Sequence, residues 1–444
     1  MKSLAQYLAV AVAALALAGC DVTPEKIAIW KNSQNGGAKL RAAVRDADLS
    51  AELRKLAAVA LADLGHFDPL SEDLAAVSPT DKQMLVGHLV DHFSGVMVGP
   101  SEQATSRVQL SAKDALFSLR PQVDAAKRAA LDRRLLAWIV ADWSGRKAGL
   151  HSATKIVHAI GKPAASQLVA HVAADLKAVL PLSKLIGELG GPAEREAAAA
   201  KLAVGADAQW KEIAKHAATA AGAQGELQES LKTFALFAEA LASTRADAAR
   251  QTLMRHAQGG PTVARDLALR ALALTASDAV IPAMAALASD VTQPGDLRER
   301  AFEVMEKVSG PATLEALAKL FAATDDKVRY RAIEATLSCC KVKGLAKLLE
   351  ALPSRYTYKP EDVKDLIEND ARDLGKEALP TLRSALNSRS LIARLIAVRL
   401  VGALGDATDV ARLEPLAVDS SRIPGWDVNL GAEVKRAIER IRQR

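Results

Sequence analysis

The sequence predicts an all-α protein, an α-α superhelix built from helix pairs that recur roughly every 30 residues. Three observations predict it. One apolar stripe returns along the chain, Gly-Pro breaks divide its units into halves, and no segment sustains the period-two alternation of a half-buried strand. Composition agrees: 50% of the residues are hydrophobic but only 4% aromatic, so alanine and leucine carry the burial, as close helix packing favours. With 58 basic against 52 acidic side chains and 3 cysteines, the 444-residue chain is neither a disordered tail nor a disulfide-framed fold.

The N-terminus carries its own signal. Lys2 precedes an apolar run from Leu4 to Leu17, too short for a spanning helix of ~20 residues and suited to a secretory signal core. The run ends in Leu17-Ala18-Gly19-Cys20, which resembles the lipobox of bacterial lipoproteins. The resemblance implies a signal peptide over 1–19, cleavage after Gly19, and acylation of Cys20, so that the membrane is a partner through this lipid anchor. Several acyl chains, at ~0.8 kcal/mol per buried CH₂, hold a protein on a bilayer without spanning it. Asp21 resembles the inner-membrane retention signal of enteric-type lipoproteins, which favours the periplasmic side of the inner membrane over the outer membrane. The lipidated N-terminus and a first helix then occupy 20–38.

The repeats begin with a unit at 39–77. There Leu53-Arg54 is followed by Ala57-Ala58, Ala60-Leu61 and Leu64-Gly65. The spacing returns at Ala264-Arg265, Leu297-Arg298, Val328-Arg329 and Ala393-Arg394, each heading apolar residues at i+4, i+5 and i+7 on one helix face. Arginines 265, 298 and 329 are 33 and 31 residues apart. A weaker unit around Val363, Leu366 and Ile367 fills the gap before 394. Units at Ala153–Gly161 and Val179–Gly190, and a degenerate one at Leu231–Leu241, extend the array upstream. Gly161-Lys162-Pro163, Gly190-Gly191-Pro192 and Gly310-Pro311 each end one helix and open the next. Second stripes follow at Leu168/Val169/Val172, Leu314/Leu317/Ala318/Phe321, Leu345/Leu348/Leu349 and Leu379/Leu382/Leu386.

These units resemble bacterial HEAT-like repeats, whose pattern reads apolar-Arg-x-x-Ala-Ala-x-Ala-Leu-Gly-x-Leu-Gly-Asp. Residues 393–406 match it nearly throughout and 53–66 match well. The resemblance covers about 149–418, within an array at 148–444 that ends in a capping helix, plus the unit at 39–77. Residues 78–147 depart from it: helices are expected around Thr80–Val98, Ser106–Leu119 and Pro121–Trp143, as degenerate repeats or an inserted bundle. Thr357–Pro360 reads as a longer loop. The resemblance implies a HEAT-like solenoid with a concave face lined by second helices, and a structural role for the repeating arginine in tying neighbours together.

Candidate chemistry is sparse. His88 and His92 share one helix face, as a metal pair needs, and His88-Leu89-Val90-Asp91-His92 has the order of the His-x-x-Glu-His peptidase motif. Aspartate replaces the catalytic glutamate and no third ligand is evident, so neither a metal nor a cofactor is expected. Cys339 and Cys340 are adjacent. Neighbouring helical residues point ~100° apart and cannot bridge without breaking the helix, so two small buried side chains at a helix end are expected, with a strained vicinal disulfide or a metal site as the alternatives. HEAT-like hydroxylases carry repeated His-Glu pairs, and none of the 8 histidines here precedes a glutamate. The basic helix with Lys435, Arg436, Arg440, Arg442 and Arg444 around Val434, Ala437, Ile438 and Ile441 reads as a cap, with contact to anionic headgroups as the alternative. Net charge is only +6 and stacking aromatics are few, which argues against nucleic acid. The expectation is a membrane-anchored cell-envelope scaffold, not an enzyme, that binds a protein partner on its concave face. The alternatives are an envelope enzyme or metal protein using His88 and His92, and a structural spacer.

Overall fold

The computed structural model describes residues 22–99, 106–218, 224–352, 360–422 and 429–444. Cys20 and the expected signal segment before it lie outside the described residues. Among those described there are 24 α-helices and no strand, only an isolated bridge between Arg422 and Asn429. The fold is all-α and made of repeating helix pairs. No described helix is long and apolar enough to cross a membrane. The chain forms two compact units, 1–194 and 195–444.

The first unit contains α1 (Pro24–Lys31), α2 (Gly36–Arg45), α3 (Ala51–Asp63), α4 (Phe67–Ala76) and α5 (Pro79–Val98). After it come α6 (Arg107–Leu119), α7 (Ala125–Ala141), the short α8 (Trp143–Arg146), α9 (Ala153–Ile160), α10 (Lys162–His171) and α11 (Leu176–Leu189). Local chemistry sets the starts. Ser50, Ser78, Asp124 and Ser152 each accept a backbone N–H of the first turn, and Ser106 with Gln109 forms a full capping box. Between α9 and α10 the chain turns on Gly161 at φ +77°, a conformation that a side chain resists, and Pro163 then sits in the first turn of α10. The expected helix over Pro121–Trp143 is shorter than its apolar pattern. Arg120–Gln122 forms a 3₁₀ turn, Asp124 caps α7, and Asp142 caps α8, because each aspartate offers its carboxylate to backbone N–H groups that a continuous helix would use internally.

The second unit runs α12 (Pro192–Ala218, whose first turn holds the division), α13 (Gln224–Thr244), α14 (Asp247–Gln258), α15 (Thr262–Leu274), α16 (Ile281–Ser289), α17 (Gly295–Glu306) and α18 (Pro311–Leu320). It continues through α19 (Asp326–Ala351), α20 (Pro360–Asp373), α21 (Leu379–Ala385), α22 (Leu391–Leu404), α23 (Ala407–Leu413) and α24 (Leu430–Arg442). First helices stack in series: α15 on α17, α17 on α19, α19 on α20, α20 on α22, α22 on α24. Their stripe residues are buried, among them Ala268 and Leu272, Ala301 and Met305, Ala332 and Ile333, Ala397 and Val401. Each pair thus covers a face that its neighbour could not bury alone. Of the expected loop Thr357–Pro360, the first three residues lie outside the described set, and Pro360 opens α20.

The expectation for Cys339 and Cys340 needs correction. They are half-buried and bonded to each other, with Cα atoms 3.8 Å apart. The bridge coincides with a break: Lys341 takes φ +48°, so α19 is two helices joined at this turn, and Gly344 packs where an added Cβ would lie 2.3 Å from the Thr336 carbonyl oxygen. The geometric objection to bridging within a helix is met because the helix ends there.

Candidate functional site

The repeating arginines each make a hydrogen bond or ion pair at a joint. Arg54, 3% exposed, donates from Nε to the Val44 carbonyl in the last turn of α2 (3.1 Å) and pairs with Asp81 in the first turn of α5 (3.0 Å). Arg298 repeats this with the Ala288 carbonyl of α16 (3.2 Å) and Asp325, the N-cap of α19 (2.9 Å). Arg265 donates to the Ala257 carbonyl (2.9 Å) and Arg329 to the Ala323 carbonyl (2.9 Å), while Arg394 reaches Asp419 (2.9 Å). In four of the five the arginine satisfies a carbonyl at or just past a helix end, and Arg54 and Arg298 also bind an acid in the first turn or at the N-cap of a later helix. A second ladder crosses the first-helix face: Arg300 to Asp266, Arg331 to Glu299 and Glu306, and Arg399 to Glu433 and Glu368. These cations are committed to the joints between repeats, not to a ligand.

Position 88 faces Lys55 and Glu52, and burial followed by Lys55 lowers the His88 pKa. The His88 and His92 rings are 6.4 Å apart, and His92 meets Phe93 edge-on. Among the described residues no group of three or more histidine, cysteine or acidic side chains is placed to hold a metal.

Sequence reading missed three buried polar arrangements. Lys113 is fully buried in α6, with its Nζ donating to the Ala148 and His151 carbonyls at 2.5 Å each and lying 3.2 Å from Asp114. Asp114 accepts from the Leu150 (2.7 Å) and His151 (3.0 Å) N–H groups. The loop can approach so closely because Gly149, at φ +116°, has no Cβ to strike Asp114. The signal was a charged pair inside the apolar run Ala112–Leu116. This is a clamp on a loop.

Beside it, Ser118 Oγ lies 3.0 Å from His151 Nε2, the contact of a serine–base pair. His151 Nδ1, however, faces Lys155 Nζ at 3.3 Å. An ammonium can only donate, so Nδ1 accepts and Nε2 carries the ring proton toward Ser118. The ring cannot take a proton from that serine. The third arrangement is His256, 2% exposed, stacked on Trp210 with its Nε2 2.7 Å from Asp207. Burial lowers its pKa despite the aspartate. It is sealed between α12, α13 and α14, out of reach of any substrate.

What remains open is the second-helix face of the second unit. A groove of about 430 Å³ runs between α16 and α18, walled by Pro282, Ala285, Ala286, Ala312 and Ala316 with Glu315 and Lys319 beside them. A more polar groove of about 500 Å³ lies between the second half of α19 and α21, where Ala346, Leu349, Pro380 and Ala385 alternate with Glu350, Thr381, Ser384, Asn387 and Ser388. Small residues on successive second helices leave these channels. Charges on the first-helix face are paired across repeats, whereas this face offers apolar surface with a thin polar edge.

No protein-family model matches the chain, and no curated protein matches it. Solved structures do. Kap121p bound to Pho4p is 14% identical over 95% of this chain and 48% of its own, with a TM-score of 0.38. Kap121p bound to Nup53p is 13% identical over 92% and 45%, with a TM-score of 0.40. The Pds5–Scc1 complex is 12% identical over 94% and 64%, with a TM-score of 0.31. The chain spans about half the length of the Kap121p structures that it matches.

Proposed function

We propose that this protein is a helical-repeat scaffold that binds another protein along the second-helix face of its second unit. The observation that carries this reading is the apolar groove between α16 and α18, with a second, more polar groove between α19 and α21. An apolar groove with a sparse polar edge suits an apolar stripe on a partner segment, whose backbone polar groups are satisfied within its own helix. In cells, Ala286→Arg and Ala346→Arg place a large charge at exposed groove positions and should leave the circular dichroism helical while abolishing partner crosslinks. Crosslinks that persist in both variants would sink the assignment of this face.

The second part of the proposal is location. The Leu17-Ala18-Gly19-Cys20 sequence after its apolar run supports anchoring in a bacterial cell envelope through an acylated Cys20, and Asp21 supports the periplasmic side of the inner membrane. Cys20→Ala should leave the chain unprocessed or released from membranes. Unchanged membrane partition and unchanged mass would remove the anchor.

A further inference from the structure

A cavity of about 530 Å³ opens in the first unit between α5 and α7, within the ~300–1,000 Å³ range of small-molecule sites. Its apolar lining comes from Val86, Gly87 and Val90 of α5, Val123 of the linker, and Ala130 and Leu131 of α7. Along each helix the lining follows the same order. A lysine stands in the first turn (Lys82, Lys127), apolar residues follow, and a charged residue closes the third turn or later (Asp91, Arg134). Lys127 lies 3.6 Å from Asp124, which also lines the cavity. Lys82 and Arg134 have no ion pair among the described residues, in contrast to the arginines at the repeat joints. An added Cβ on Gly87, which lines the cavity, would meet nothing within 4 Å, so this part of the wall faces open space.

We propose that this cavity binds a single-chain anionic amphiphile, with its alkyl chain along Val86, Val90 and Leu131 and its carboxylate or phosphate held by Lys82 and Arg134. The lining selects this class. An alkyl chain needs no hydrogen bonds, whereas a peptide backbone would bury amides against a wall whose neutral polar side chains are only Gln83 and Gln122. Three cations against two acids leave the wall net positive, so an anionic head is favoured over a neutral or cationic one. A free fatty acid and a lysophospholipid share this chemistry. The site is separate from the grooves of the second unit and does not depend on them.

The test uses the full chain in nanodiscs of zwitterionic lipid, photolabelled with a diazirine dodecanoate, with labelled peptides identified by mass spectrometry. Labelling is expected on peptides spanning 79–91 and 122–134. Gly87→Phe fills the cavity and should abolish it. Lys82→Gln with Arg134→Gln keeps the cavity and should lower it about tenfold, the effect of roughly 1.4 kcal/mol of lost attraction. Unlabelled dodecanoate or lysophosphatidate should compete; whichever competes at lower concentration names the source of the head group. Labelling undiminished in the charge variant, or equal competition by dodecanol, would overturn the anionic site. Labelling confined to other peptides would overturn the cavity.

Discussion

Arg54 shows how much one repeated side chain does. It fastens the end of α2 to the start of α5 while nearly out of water. A hydrogen bond to a charged group contributes ~1.5–3 kcal/mol, so Arg54→Ala should lower unfolding stability by about 2 kcal/mol, measured from the denaturant midpoint at constant slope. Arg54→Lys should recover less than half, because a single ammonium cannot span both acceptors as the guanidinium fork does. The arginine's position was legible from its recurrence beside the first stripe residue, and its structural role was implied by the resemblance to HEAT-like repeats. Its partners were not. Asp81 and Asp325 lie 27 residues downstream of Arg54 and Arg298, and nothing local singles them out among 52 acids.

Between elements, packing distance is set by small residues. On α22, Gly402 faces Ala437 of α24, and a Cβ added there would lie 2.6 Å from the Ala437 Cβ. Gly402→Leu should therefore push the terminal helix outward, with a cost of about 1–3 kcal/mol and faster amide exchange in α22 and α24. Unchanged exchange would show that the contact is slack. At the terminal helix, Arg444, just past its end, donates to the Gly402 (2.6 Å) and Ala403 (2.5 Å) carbonyls of α22, whereas Arg436 pairs with Glu433 (2.7 Å) within the same helix. Lys435 and Arg440 stay exposed. The helix end at Cys339-Cys340 was expected; the bond between the two cysteines was not, because it depends on the break at Lys341.

Over the whole molecule the joints share one dependence on acid. Arg298 holds the Asp325 carboxyl below its usual range, Arg383 does the same to Asp409, and Asp419 is lowered by Ser421 and the adjacent Arg394. A carboxylate lowered in the fold contributes stability that is complete above the unfolded value of about 3.9 and is lost as pH falls through the lower folded value. From this effect alone, Tm should hold steady from neutrality to about pH 5 and then fall. Asp325→Asn should lower Tm at neutrality and reduce the further fall in acid; an equal acid drop in wild type and variant would count against the pair.

Taken alone, the sequence determined the all-α class, the repeat spacing, the helix breaks at Gly161 and Gly310 and the stripes that are buried, because each of these depends on neighbours within a few residues along one helix. The expectation of a signal segment ending before Cys20 also rests on the sequence alone. Only the tertiary structure decided which acids answer the arginines and that His151 cannot act on Ser118. It also decided that His256 is sealed and that α5 and α7 enclose a cavity between their charged first turns. Those outcomes depend on which side chains meet across tens of residues, and helical periodicity records the face a residue occupies, not what is packed against it.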